Sequence, residues 1–177
     1  MQVDTRNKEF QDALNLIQYT RQSVFLTGKA GTGKSTFLKY VCANTKKKYV
    51  VLAPTGIAAI NAGGSTLHSF FKLPFHPLLP DDPNFSLKGG KLHSFLKYSS
   101  EHRKLIKQLE LVIIDEIPEV PALLDEVHRL IVESGLVFIL CGSSARKLKR
   151  KGHNTLGGRA FPVYLYPFVS AEIPEFD

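Results

Sequence analysis

The stretch VFLTGKAGTGKSTF, residues 24–37, limits what this chain can fold into more than any other. An apolar run ends at Thr27, a glycine-rich turn follows, and a helical pattern opens near Lys34 and is expected to reach about Thr45. Gly28, Gly33, Lys34 and Ser35 stand in the spacing G-x-x-x-x-G-K-[ST], in the strand–turn–helix context that gives the spacing its meaning. The glycines let the backbone curl, so that successive N–H groups of Gly28, Lys29, Ala30, Gly31, Thr32, Gly33 and on into Lys34, Ser35 and Thr36 point inward. The helix N-terminus adds about half a positive charge at the same spot. A concavity of this kind suits a polyphosphate, with Lys34 reaching the β- and γ-phosphates of ATP and Ser35 holding Mg²⁺.

A loop of this type needs a parallel sheet around it, and the rest of the chain supplies one. Five apolar runs recur: SVFLT (23–27), KYVVLA (48–53), LELVIID (109–115), LVFILC (136–141) and FPVYLY (161–166). Unbroken rather than alternating apolar runs mark strands covered on both faces. Helix-period segments lie between most of them, and one, NKEFQDALNLIQYT, precedes the first with Phe10, Leu14 and Ile17 on one face. The expected fold is therefore α/β: a three-layer phosphate-loop NTPase of RecA/AAA-like type with a five-stranded, mainly parallel sheet. One domain over 1–177 accommodates it. Residues 73–100, with four prolines and a Gly pair, read as an irregular surface insertion, and 142–160 as a second irregular stretch.

The third run stops abruptly at Asp115 and Glu116. In open α/β sheets the ligand sits outside the carboxyl ends of the strands, which places this acid pair beside the phosphate loop. Asp115 then orients the water shell of Mg²⁺. Glu116 is set to polarise an attacking water, which favours an ATPase over a kinase that brings its own hydroxyl. Without the loop, the pair would read equally well as a helix cap.

The formal charge of +7 favours a polyanionic partner. No stretch of 18 or more apolar residues occurs and the N-terminus is polar, so a soluble, cytoplasmic protein without membrane contact is expected. Cys42 and Cys141 are far apart in apolar surroundings and read as buried free thiols. His128, among Leu123, Leu124, Val127 and Leu130, reads as a boundary residue of a helix, and Lys46 to Lys48 as a solvated turn. The basic cluster ARKLKRKGH (145–153) reads first as a solvated loop.

Residues 1 to about 117 resemble the Pif family of superfamily-one DNA helicases. Beyond GKAGTGKS, the likeness rests on LAPTGIAAINAGGSTLHSFF (52–71), which is far more restrictive than a phosphate loop alone. Gln11 stands at the spacing upstream of the loop where these helicases keep a glutamine that reads the adenine edge. The resemblance implies a motor that walks 5′ to 3′ on single-stranded DNA, with the segment after the second strand gripping the backbone. The residues agree with that use: Thr55, Gly56, Asn61 and the Gly63–Gly64 pair offer donors for phosphate contacts, and His68, Phe70 and Phe71 offer flat surfaces for bases. Core packing is the better reading for at least one of the two phenylalanines.

After DEI the text changes, and residues 115–175 look like the prokaryotic AAA-type ATPases that carry an uncharacterised C-terminal domain. That likeness implies a chimera with a junction near 117, a helix from PALLDEVHRL, Ser143 and Ser144 in a sensor position near the γ-phosphate, and Arg159 facing the nucleotide or a neighbour. Three readings follow, the last of them a structural or interaction module that has lost catalysis. The first is an ATP-driven motor domain of helicase type, weakly active alone because a second motor or lid domain must supply an arginine. The second is an AAA-type regulatory switch acting on a protein partner without DNA.

Overall fold

A parallel strand covered on both faces reads as a near-continuous apolar run, and the inner strands of this protein do, with Ser23 and Thr27 as buried polar residues at the two ends of the first. The computed structural model describes residues 8–73, 98–117, 121–142 and 158–166. In chain order the elements are α1 (Lys8–Tyr19), β1 (Ser23–Thr27), α2 (Lys34–Asn44), β2 (Tyr49–Ala53), α3 (Gly56–Ala62), β3 (Ser65–Thr66), α4 (Leu67–Phe71), α5 (Ser100–Gln108), β4 (Leu111–Ile114), α6 (Pro121–Ser134), β5 (Val137–Gly142) and β6 (Ala160–Tyr164). They build one sheet in the order β3-β2-β4-β5-β1-β6, and each strand runs parallel to its neighbours. Every residue of β1 and β4 is buried. The edge strands differ: β3 has two residues, and β6 carries Pro162, a residue that edge strands tolerate because it has no N–H to lose.

The sequence expects five strands, and all five are present. The sixth, β3, is too short to leave an apolar period. It forms because Gly64 lets the chain lie against β2, pairing Leu52 with Ser65 and Ala53 with Thr66. A methyl group on Gly64 would overlap the Val51 carbonyl oxygen and stand 2.7 Å from the carbonyl carbon.

Alternate residues of each strand feed two cores, one per face. On one face Val24, Leu26, Ile113 and Ile139 meet Phe10, Leu14 and Ile17 of α1 and Phe37, Leu38 and Val41 of α2. On the other, Phe25, Leu52, Ile114 and Phe138 meet Leu67, Phe70 and Phe71 of α4, Ile106 of α5 and Leu123, Val127 and Leu130 of α6. Fully buried aromatics such as Phe37 and Phe138 would each cost about 3–5 kcal/mol if truncated to alanine. Both faces are thus covered, as the three-layer reading requires. His128 is half-buried, at the edge of this core.

The short helices are fixed at their starts by hydroxyl caps. Thr55 Oγ1 accepts from the Ala58 N–H (3.2 Å), Thr66 Oγ1 from Ser69 (3.1 Å) and Ser99 Oγ from His102 (3.1 Å). Lys47 corrects the expectation of a solvated turn at 46–48. Its ammonium donates to the carbonyl oxygens of Ile17 (2.6 Å) and Thr20 (3.3 Å), because the turn before β2 passes the C-terminal end of α1, whose last carbonyls lack helical partners. Burial lowers the affinity of that ammonium for its proton, while Glu110 raises it. Lys46 and Lys48 are exposed. Residues 74–97 of the expected insertion and 143–157, with the basic cluster, lie outside the described residues. Among the described residues, no helix is long and apolar enough to cross a membrane.

Candidate nucleotide-binding site

The phosphate loop leaves β1 at Thr27 and enters α2 at Lys34. Gly31 and Gly33 take left-handed φ angles of 82° and 81°, which L side chains rarely adopt. Gly33 is the N-cap of α2 and makes no side-chain cap, so the first-turn N–H groups face outward without a hydroxyl partner at that cap. Gly28 has a different reason for being glycine: a methyl group there would overlap the Leu165 carbonyl oxygen and stand 2.6 Å from Thr32 Oγ1. Thr32 is buried, and its hydroxyl donates to the Lys29 carbonyl at 2.9 Å, bracing the turn from within.

Lys34 folds back over this loop. Its ammonium donates to the carbonyl oxygens of Gly28 (2.8 Å) and Lys29 (2.7 Å). The positive charge is therefore held at the centre of the curl, where a phosphate would meet it.

The acids sit at the carboxyl end of β4, and two backbone bonds fix them. Asp115 N donates to Leu52 O of β2 (2.9 Å) and Ile117 N donates to Cys141 O of β5 (2.8 Å). Between these anchors Glu116 takes a left-handed φ of 57°, unusual for a residue with a side chain and a form of local strain found at functional sites. Glu116 is exposed and Asp115 half-buried.

Although β5 separates β1 from β4 in the sheet, the lysine and the acids converge. The buried Cys141 thiol is pushed up to about 12, first by burial and then by the Asp115 carboxylate, while the Lys34 charge pulls it down. One thiol on β5 thus feels both groups. Ser35, Asp115 and Glu116 also line one cavity of about 530 Å³, which continues between α2 and α3 past Lys39, Asn61 and Cys42.

The curl of N–H groups, the central ammonium, the glycine that a Cβ would fill, and a hydroxyl and two carboxylates on one cavity form a donor set that fits a magnesium-bound nucleoside triphosphate. Gln11 lies in the first turn of α1. Its neighbour Phe10 packs edge-on against Phe37 (4.8 Å between ring centres) and Tyr40 (5.3 Å) of α2, which sets the first turn of α1 beside the start of α2.

Two expectations come out differently. Phe70 is buried, its ring edge-on to Phe71 (5.1 Å) and His102 (5.3 Å), so its face is spent on the core and is not offered to a base; Phe71 is fully buried. Arg159 precedes β6 at the amino ends of the strands, where its carbonyl accepts from Gln22 Nε2 at 3.1 Å. The parallel register of Ser23 with Ala160 leaves it a whole five-residue strand, roughly 15 Å, from the phosphate loop, so it does not face this chain's phosphate site. Ser143 and Ser144 lie outside the described residues. Of the remaining candidates, Thr55, Gly56, Asn61, Gly64 and His68 are all exposed, around α3 and the start of α4.

Residues 4–145 match the family PIF1-like helicase. The chain belongs to the PIF1-like helicase family. The ATP-dependent DNA helicase Pif1 of Bdellovibrio bacteriovorus is 35% identical over 116 residues, which covers 64% of this chain and 24% of that protein. The ATP-dependent DNA helicase PIF1 of Candida albicans is 32% identical over 136 residues, covering 68% of this chain and 14% of the relative. Among solved structures, Pif1 helicase from Bacteroides in complex with ADP-AlF3 and ssDNA superposes with a TM-score of 0.66 at 37% identity, covering 92% of this chain and 42% of that one. The chain thus spans about a quarter or less of these two curated relatives. The family match runs on to residue 145, past the junction expected near 117, and β4 and β5 on either side of that point pair in one parallel ladder.

Proposed function

We propose that this chain is an ATP-binding and ATP-hydrolysing motor domain of the helicase type, which holds single-stranded DNA along α3 and the start of α4. The observation that carries the reading is the convergence on one site of the Lys34 ammonium at the centre of its loop and the Ser35, Asp115 and Glu116 side chains.

In this reading the N–H groups of residues 31–35 and Lys34 bind the phosphates, Ser35 and Asp115 hold Mg²⁺, and Gln11 reads the base. The metal supplies charge neutralisation at the phosphates when bound. Glu116, exposed on a backbone fixed at both sides, accepts the proton of the attacking water at its carboxylate. The N-terminal ends of α3 and α4, with Thr55 and Thr66 as caps, present hydroxyl and backbone donors suited to DNA phosphates. Arg159 stands at the far end of β6, so in this reading it does not close on the transferred phosphate, and an arginine supplied by another domain or another molecule takes that part; in related phosphoryl-transfer enzymes such an arginine is worth about 10³–10⁵ in rate. This chain alone therefore hydrolyses ATP slowly and does not unwind a duplex.

The test is titration of a fluorescent ATP analogue in Mg²⁺ buffer, with and without an oligothymidylate. We expect nucleotide binding, and DNA binding that weakens steeply as salt rises. Nucleotide binding with no DNA binding even at low salt would leave a nucleotide switch acting on a protein, and no nucleotide binding would refute the site.

A further inference from the structure

We propose that His102 is a positioning residue for the DNA-facing segment: it holds α4 in place by donating to the carbonyl oxygen of Phe70. The inference rests on the reading that α3 and α4 carry the DNA surface.

Five residues are too few for a helix to persist by itself, so α4 keeps its place only through what it touches. Its start is fixed by Thr66 and its apolar side by the burial of Leu67, Phe70 and Phe71. Its end has a different need. The last carbonyls of a helix have no helical donor. That of His68 accepts from the N–H groups of Lys72 and Leu73, with Lys72 in a left-handed φ of 53°. The carbonyl of Phe70 is met instead from α5, by His102 Nε2 at 2.6 Å. A carbonyl can only accept, so Nε2 carries the hydrogen.

The imidazole is held from two sides. It stacks on Tyr98 (5.3 Å between centres, 26° between planes) and meets Phe70 at an angle of 63°. Tyr98 in turn donates its hydroxyl to Glu126 Oε1 (3.2 Å), and Glu126, only 1% exposed, is clamped by Arg129 through Nε (2.9 Å) and Nη2 (2.8 Å). Burial and the Glu126 carboxylate both raise the Tyr98 pKa, so its hydroxyl stays a donor throughout the neutral range. The histidine is thus braced against an ion pair on α6, the helix that follows the acid pair, while its Nε2 holds the helix that carries the exposed His68.

The test compares His102→Phe, which keeps a ring against Tyr98 and Phe70 but has no donor, with His102→Gln, whose amide can restore the bond. Two readouts are taken: hydrogen exchange of the α4 amides in the free protein, and the Kd for an oligothymidylate beside the Kd for an ATP analogue. We expect His102→Phe to speed exchange over residues 67–73 and to weaken DNA binding roughly three- to tenfold, the span of one lost hydrogen bond. Nucleotide affinity should hold within about twofold, and His102→Gln should recover most of both effects. The proposal is overturned if exchange in α4 is unchanged in His102→Phe, or if DNA and nucleotide affinity fall together with the melting temperature. Should the unmodified protein bind no DNA, the functional reading fails while the exchange comparison still decides whether His102 anchors α4.

Discussion

The ammonium of Lys34 lies 2.8 Å from the carbonyl oxygen of Gly28, so the side chain that opens α2 is tied back to the first residue after β1. That bond and its companion to Lys29 hold the charge where a triphosphate would neutralise it. Lys34→Met keeps the length of the side chain and removes the charge. Charge-assisted bonds of this kind are worth about 1.5–3 kcal/mol each, so affinity for an ATP analogue should fall at least thirtyfold, on the order of 2 kcal/mol. Lys34→Arg should not rescue it, because a planar fork does not replace a point charge within a tight curl. Equilibrium titration of the three proteins measures both effects.

Gly28 and Gly31 are both glycines of the loop, yet substitution should separate them. An added methyl at Gly28 overlaps the Leu165 carbonyl, so Gly28→Ala must push the loop away from the chain that follows β6. Overpacking against backbone costs about 1–3 kcal/mol, and the melting temperature should drop by roughly 2–10 °C for a domain of this size. At Gly31 the space is open and only the φ of 82° resists a side chain. Gly31→Ala should cost about 1–2 kcal/mol. Differential scanning fluorimetry with and without the ATP analogue measures both costs, and a Gly28→Ala protein as stable as the parent would contradict the packing.

What could be read in the sequence follows physical range. Strand runs such as SVFLT and LVFILC are legible because burial on both faces leaves their interior positions apolar, and the loop because its glycines, lysine and serine are local. The edge strand β3 is not, since two residues carry no period and its pairing depends on Gly64 clearing Val51. The sides taken by Phe70 and Arg159 are not legible for the same reason: an aromatic next to a polar surface, or an arginine before a strand, shows its side only once the register is known. Lys47 looks like a solvated lysine until α1 is folded beside it. The left-handed Glu116 leaves no trace in composition, because its strain is imposed by partners on β2 and β5.

Cys141 and Cys42 should behave as two kinds of thiol. Cys141 is fully buried beside Asp115, whereas Cys42 is half-buried on the wall of the cavity, its pKa raised by burial and partly offset by a bond with Tyr49. A thiol-specific chromogenic reagent at pH 8 should label one group slowly in the folded protein and the second only after denaturation. The Cys141 pKa is raised above its unfolded value of 9.0 to about 12. The unfolded chain therefore gives up the proton first, and stability present below pH 9 is lost as pH rises toward 12. At 1.36 kcal/mol per unit the loss approaches about 4 kcal/mol. Urea midpoints between pH 8.5 and 10.5 should fall less steeply in Cys141→Ala than in the parent.

Glu116 combines two properties that one pair of substitutions can separate, its carboxylate and its backbone. Glu116→Gln removes the negative charge while keeping size and a left-handed φ. ATP-analogue affinity should stay within about threefold of the parent, while turnover falls by roughly 10²–10⁴, the range for loss of a general base. Glu116→Gly removes the carboxylate as well, and turnover should fall as far. The glycine also relieves the φ of 57° held between Leu52 O and Cys141 O, so the protein should gain about 0.5–1 kcal/mol, the left-handed penalty less the extra entropy of an unfolded glycine. A stabilised and inactive Glu116→Gly beside an inactive Glu116→Gln of parental stability would mean that the strain serves to aim the carboxylate. Should Glu116→Gly unfold earlier than the parent in a urea titration, the backbone at this corner is held by more than its two hydrogen bonds, and the strain argument fails.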